Sequence, residues 1–414
     1  MVEHRTENAG VPSSSLGLGT RTTILLISRC PPYPAHLGDR LILWHLAREL
    51  HKRGISIDLL ALYDRADDPQ HIDKYRPYFR HIRLIPEPPR SNLSYLRRLL
   101  LPGARFANRP ESSFCPPLWG AIAECLRHNK YDLAHCFGSF TVYEYLPLFA
   151  HLPKLITPYE SHSLYLRSAA QQGNLLARIR LPLARRYEQF MFSPYDRTVL
   201  ISDVDAAMLR DLQPGLRVAV IPNGVDLAQF RPTASDRDRN SLVFVGNFAY
   251  APNQDAARLL IERLLPAVRA KLPAARLQLV GANPPDWLRE LANEHIEVTG
   301  RVADVAPYLS RAALFVCPLR IGAGMKNKVL EALAMGVPVV ATPLSVDGIA
   351  ARHQESAWIA PVDQLAAAAI RLLQDEALRV KLSQNGRQLI EARYTWARTA
   401  DAYARLYAEI CAAR

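Results

Sequence analysis

The 414 residues are 49% hydrophobic and 22% charged, the balance of a soluble globular chain long enough for two or three domains. No run reaches the roughly 18 apolar residues of a membrane span, and the apolar tract Ile24–Ile27 is too short for a signal-peptide core, so a cytoplasmic chain is expected. Six cysteines without a Cys-x-x-Cys pair argue against a disulfide framework, and a formal charge of +12 asks for an anionic partner or a basic solvated surface.

Residues 1–20, MVEHRTENAGVPSSSLGLGT, are polar and rich in Gly and Ser, and read as a disordered tail. From Thr22, TTILLIS reads as a buried strand, DRLILWHLARELHKRG as a helix closed by Gly54, and ISIDLLAL as the next strand, which together make a βαβ unit. Residues 74–109 then carry nine basic side chains against the single acid Glu87. With the apolar residues of SNLSYLRRLLLPGARF beside its arginines, this stretch suits either an anionic membrane surface, on the inner face of the cell membrane, or plain solvent. Nucleic acid is not an expected partner, because no zinc finger, aromatic RNA-binding motif or basic heptad region is present.

YDLAHCFG, KLITPYES and RTVLIS continue the strand series to about Val220. A second series follows: SLVFVGN, the helix NQDAARLLIERLLPAVRAKL, ARLQLVG, IEVTG, ALFVCPL, a helix from Asn327, and PVVAT. Strands separated by helices predict α/β, doubly wound parallel sheets. The expected units are 21–221, 222–390 and a closing helix in 391–414, with the Pro- and Asn-rich VIPNGVDLAQFRPTASDRDRNS as the link.

Ligands of open parallel sheets bind at the carboxyl ends of the strands, where two such domains leave a cleft. RIGAGMKNKVLEALAMGVPVVAT sits at such an end. Gly322 and Gly324 allow close approach of backbone to ligand, and the helix start at Asn327 offers free N–H groups to an anion. Lys328 and Glu331 fall three apart on one helix face while Lys326 stays in the loop. That arrangement suits a diphosphate beside the lysines and a ribose on Glu331; a surface i,i+3 ion pair is the competing reading. The dinucleotide fingerprint would need glycine at Asn327, and no Gly-x-x-x-x-Gly-Lys-Ser/Thr occurs, so hydride transfer and ATP hydrolysis are disfavoured.

PLRIGAGMKNKVLEALAMGVPVVAT, with FVGNFAYAPNQDA and VTGRVADVAPYLSRAALFVCPL before it, resembles the donor-binding half of the family-4 GT-B glycosyltransferases (glycosyl transferases group 1). PPYPAHLGDRLILWHLARELHKRG, LISDVDAAML and VIPNGVD extend the resemblance over most of residues 22–400. It is closest to the sugar transferases associated with exosortase and exopolysaccharide gene clusters. The resemblance implies a GT-B architecture, two Rossmann-like doubly wound domains facing a cleft. The second domain would hold a nucleotide-sugar donor and the first a glycan or lipid-linked acceptor. Transfer would retain configuration and use no metal or other cofactor.

Position by position, the resemblance makes Glu331 the ribose-binding end of a Glu-x7-Glu motif whose opening glutamate is replaced by Ala323. It puts Lys326 and Lys328 beside the donor phosphates, with Gly246, Gly322, Gly324, Met325 and Asn327 around them. Asn247 stands where an arginine often binds phosphate, and Asn253 matches the subgroup's YAPN. Gly38 and Asp39 match the Gly-rich loop near donor and acceptor. In YESHS, Glu160 and His162 replace two aspartates and, alternating with Ser161 on an extended segment, could face the cleft. Glu160, His162 and Lys328 are thus the candidate catalytic residues, the lysine by stabilising charge on the leaving phosphate.

Asp203-Val204-Asp205 has the metal-binding Asp-x-Asp form, but it follows TVLIS and opens a helix, so Ser202 as N-cap and two acids in the first turn account for it. The 12 histidines show no metal-ligand spacing. YTWARTADAYARLYAEICAA reads as a closing helix that the resemblance packs back onto the first domain. The expected function is a membrane-proximal glycosyltransferase of exopolysaccharide or cell-envelope synthesis. A nucleotide-sugar epimerase of the same fold, or a non-catalytic membrane-surface scaffold, stays open.

Overall fold

The computed structural model describes residues 22–35, 38–89, 100–101, 105–138, 140–159, 161–212, 214–232, 237–322 and 324–413. The predicted tail, Glu160, Ala323, and Arg90, Arg97 and Arg98 of the basic stretch lie outside them.

Seven strands form the first sheet: β1 Thr23–Ser28, β2 Ser56–Tyr63, β3 His81–Pro86, β4 Leu133–Phe137, β5 Lys154–Tyr159, β6 Arg197–Leu200 and β7 Val218–Val220. Their order is β3-β2-β1-β4-β5-β6-β7, with every pairing parallel. Six form the second: β8 Asp238–Val245, β9 Arg276–Val280, β10 Ile296–Gly300, β11 Ala312–Cys317, β12 Val339–Ala341 and β13 Trp358–Ile359, in the order β10-β9-β8-β11-β12-β13. These are two Rossmann-like α/β domains. Strands such as β1 and β11 are apolar on both faces because helices cover both. In β1, Leu25 and Ile27 enter one core while Ile24 and Leu26 enter the other.

The helices that matter below are α1 Gly38–Lys52, α2 Pro116–His128, α3 His162–Gln171, α4 Leu175–Phe192, α5 Asp203–Leu212, α6 Ala251–Leu259, α7 Asn327–Ala334, α8 Leu365–Gln374, α9 Glu376–Arg393 and α10 Trp396–Ala412. Beyond α6 the helical path runs on through a π turn at Leu260–Leu264. Pro266, two residues past its end, can neither donate to the preceding turn nor fit against its carbonyl, which is where a π turn relieves a helix.

Helix α10 belongs to the first domain's core. Trp396, Tyr403, Tyr407 and Ile410 pack with Ile24, Leu26, Leu43 and Leu46. His135 of β4 joins it to the sheet, with Nδ1 2.9 Å from the Tyr407 hydroxyl and Nε2 2.8 Å from Thr157 Oγ1. The chain therefore passes between the domains twice, after Ile221 and before Trp396, and the two passages touch: Val225 N donates to Tyr394 O at 2.9 Å. A Cβ on Gly224 would lie 2.3 Å from Trp396 N, so only glycine lets them meet.

Candidate active site

The carboxyl end of β11 is fastened before the loop begins. Ser345 Oγ donates to Cys317 O at 2.7 Å, and Thr342 Oγ1 donates to Leu319 O at 2.7 Å. Arg320 then forms a two-pronged ion pair with Asp255 of α6, one arm at 3.0 Å. Gly322 and Gly324 follow with φ of +144° and +68°, backbone states that favour glycine, and α7 opens with no side chain capping its first turn. Val329 N closes on Lys326 O at 2.9 Å, and the remaining amides of such a helix start stabilise an anion.

Lys328 does not form a surface ion pair. It turns inward, its Nζ donating to Asn253 Oδ1 at 2.6 Å and lying 4.4 Å from the Phe244 ring centroid. Burial pulls the Lys328 ammonium down to about 8, and pushes the Glu331 carboxyl on the same helix up to about 7, each opposed by the other's charge. The Lys326 ammonium donates to Gly324 O and its field reaches Asp205 and Asp347. Cationic groups and a carboxylate thus share one half-buried wall.

Asn247 and Asn253 shape this wall. Asn247 Oδ1 accepts from Ala249 N at 3.1 Å and from Asn283 Nδ2 at 3.0 Å, so the amide organises its own loop. Asn253 Nδ2 donates to Asn247 O at 2.8 Å, which makes Asn253 the link between Lys328 and that loop. Gly246 lies against both: a Cβ there would stand 2.9 Å from Asn253 Cγ and 3.1 Å from Lys328 Nζ.

The first domain reaches the loop through Asp205. This buried carboxylate accepts from Ser161 N at 2.6 Å through Oδ1, and from Ser202 Oγ at 2.5 Å and Gly324 N at 3.1 Å through Oδ2. Capping of α5 by Ser202 is present, with Asp205 N donating to Ser202 Oγ at 3.1 Å, but Asp205 also ties the donor-side loop to the start of α3. Beside it Asn223 Nδ2 donates to Asn327 Oδ1 at 2.9 Å, and Met325 is buried near Gly348 and Ser202. Asp205 and Asn223 were not candidates from the sequence; the Asp-x-Asp spacing was a signal, though a capping role absorbed it.

The extended reading of YESHS is corrected at His162. Ser161 is an N-cap whose Oγ accepts from Leu164 N at 3.2 Å, and His162 is the first residue of α3. Its exposed ring stacks on Tyr165, with centroids 6.2 Å apart, and desolvation and Arg180 hold it below the ordinary histidine range. Glu188 of α4, buried beneath, accepts from Ser161 Oγ at 3.2 Å and Ser163 N at 3.2 Å, and so fixes this turn. At the opening of α1, Asp39 pairs with Arg29 at 3.4 Å and accepts from Arg40 N at 3.0 Å. No described hydrogen bond joins Gly38 or Asp39 to the donor-side loop. In the basic stretch, Arg76 pairs with Asp73, Arg80 with Asp58 and Arg83 with Glu124, so part of its charge is already compensated.

Comparison with known proteins follows the two halves. Residues 41–229 match the model described as Glycosyltransferase Family 4, and residues 239–375 that of Glycosyl transferases group 1. A phosphatidyl-myo-inositol mannosyltransferase of Mycolicibacterium smegmatis is 29% identical over 47% of this chain and 52% of its own. A D-inositol 3-phosphate glycosyltransferase of Salinispora arenicola is 30% identical over 55% and 57%. The chain spans about half the length of the curated relatives it matches. Sucrose-phosphate synthase of Thermosynechococcus elongatus superposes with a TM-score of 0.75 at 22% identity, over 95% of this chain and 100% of that one. Anabaena HepE in complex with UDP and glucose gives 0.63 at 16%, over 94% and 100%. With both sheets parallel and both halves matched in order, the chain carries a Glycosyltransferase Family 4 domain followed by a Glycosyl transferases group 1 domain, on the GT-B fold.

Proposed function

We propose that the protein transfers a sugar from a nucleoside-diphosphate donor to a glycan or lipid-linked acceptor. The observation that carries this reading is the wall at the start of α7: Lys328 held by Asn253 above Phe244, with Glu331 one turn on and an uncapped helix N-terminus beside them. The ammonium groups and amides suit the diphosphate, and the Glu331 carboxylate suits ribose hydroxyls. As the sugar–phosphate bond breaks, charge accumulates on the leaving phosphate, and Lys328, Lys326 and the helix amides are the groups that would stabilise it. Water needs no reorganisation to supply that stabilisation.

Transfer without a metal is part of the same reading. Retention of configuration and a role in exopolysaccharide or envelope synthesis belong to the same reading, as does a polyol or lipid acceptor of the kind named for the inositol-glycan relatives. The acceptor would enter from the first domain, past His162. No helix among the described residues is long and apolar enough to cross a membrane. A thermal-shift screen of UDP, GDP and ADP and their sugars tests the reading, followed by product analysis with and without acceptor. Stabilisation by one nucleotide series, and sugar transfer only when acceptor is present, are the expected results; no shift with any nucleotide, or conversion of the donor sugar without acceptor, would overturn it.

A further inference from the structure

Four of the nine large hydrophobic side chains left exposed among the described residues lie on α4: Leu175 at 68%, Leu176 at 64%, Ile179 at 61% and Leu183 at 37%. At 3.6 residues per turn they fall within roughly a 100° sector, one continuous stripe. Arg178 and Arg185 flank it on one side, Arg180 on the other, and Arg186 extends it toward the helix end; all four are exposed. The helix's only acid, Glu188, points inward and is buried. The opposite face, with Ala177 and Ala184, packs on Leu166 and Ala169 of α3 and on Ile321 of the donor-side loop.

We propose that α4 lies in the surface of an anionic membrane, with its aliphatic stripe among the acyl chains and its arginines at the headgroups, so that a lipid-linked acceptor passes directly from the bilayer to the cleft. The proposal rests on the acceptor named above. Its chemistry selects lipid over other partners. Nucleic acid would use the arginines but leave the aliphatic stripe in water. A second copy packed face to face would set arginines against arginines. Only a surface that is apolar below and anionic above satisfies both parts. The placement also has a use, because Ile321 makes the inner side of the same hairpin part of the donor-side loop.

The test is sedimentation of the full-length protein with vesicles of phosphatidylcholine alone and of phosphatidylcholine with phosphatidylglycerol, at low and high salt. Binding should require the anionic lipid and fall with salt, and the exposed-site pairs Leu176→Asn/Ile179→Asn and Arg178→Gln/Arg185→Gln should each bind roughly tenfold more weakly. Both variants should keep the nucleotide thermal shift and transfer to a water-soluble acceptor, while losing transfer to a vesicle-borne one. Equal binding to neutral and anionic vesicles, unchanged binding by Leu176→Asn/Ile179→Asn, or a dimer that this variant dissociates without any vesicle binding, would overturn the proposal. A missing nucleotide shift with intact vesicle binding would instead count against the transferase reading alone.

Discussion

In the proposed donor site Lys328 has two demands on it that pull in opposite directions: it must stay charged to meet a phosphate, and it sits where burial disfavours charge. Lys328→Met should therefore keep the fold while weakening nucleoside-diphosphate binding by about 1.5–3 kcal/mol, roughly ten- to hundredfold, by calorimetry. The pH profile follows from both groups. Glu331 accepts from two hydroxyls most strongly when ionised, so affinity should fall as pH drops below about 7; Lys328 must be protonated to meet a phosphate, so affinity should fall again as pH rises past about 8. Glu331→Gln should remove the acid limb and keep the alkaline one. An affinity that stays flat across both values would contradict the assignment. Asp205→Asn replaces one accepting oxygen by a donor that meets either Ser161 N–H or Gly324 N–H. A loss of about 1–3 kcal/mol in kcat/KM is expected, with Gly324-dependent donor binding weakened and the Tm of the second domain unmoved. The sequence displayed Lys328 and Glu331 through their spacing on one helix. It hid the work of Asn247, Asn253 and Asp205, because their partners lie 36, 75 and 119 residues away.

At the scale of elements, strands that are apolar on both faces were legible, and the breaks in that pattern were not. β3 reads HIRLIP with an alternating, half-exposed profile, an edge strand whose charges hide it; β7 and β13 are three and two residues long. The start of the helix at His162 was misplaced because Ser161 looks like a continuation of the strand before it, whereas its hydroxyl caps the next turn. Helix α10 was legible as amphipathic, and its buried face is completed by Tyr403 and Tyr407 meeting His135 and Thr157. Tyr407→Phe removes the donor or acceptor that His135 Nδ1 needs, inside a fully buried site. A loss of about 1–3 kcal/mol in urea unfolding is expected, while nucleotide binding in the other domain stays as it was.

Across the whole molecule, two histidines tie stability to acid. Burial holds His45 down to about 4 and His135 down to about 3. Both are neutral in folded and unfolded chains well above pH 6.5. Below it the unfolded chain takes up protons that the folded one refuses, so stability is full above about 6.5 and drains away as pH falls toward the folded values. By pH 5 each contributes a loss of about 2 kcal/mol, and denaturant midpoints should decline from pH 7 to 5. His135→Gln, which can bond the same hydroxyls without titrating, should flatten part of that slope. A slope unchanged by the substitution would remove His135 from the account.

The doubled passage between the domains sets how they can move. A single tether would let one domain swing freely about the other; here the segment after Ile221 and the one before Trp396 run side by side, bonded at Val225 and Tyr394 and pressed together at Gly224. Two strands side by side bend easily in one direction and resist twisting. The doubled seam resists twisting of one domain against the other; Asn223 bonds Asn327 right beside it, and Asp205 joins the domains again at Gly324. It also means that cutting the passage after Ile221 leaves the first sheet covered by α10, a helix whose chain arrives from the second domain.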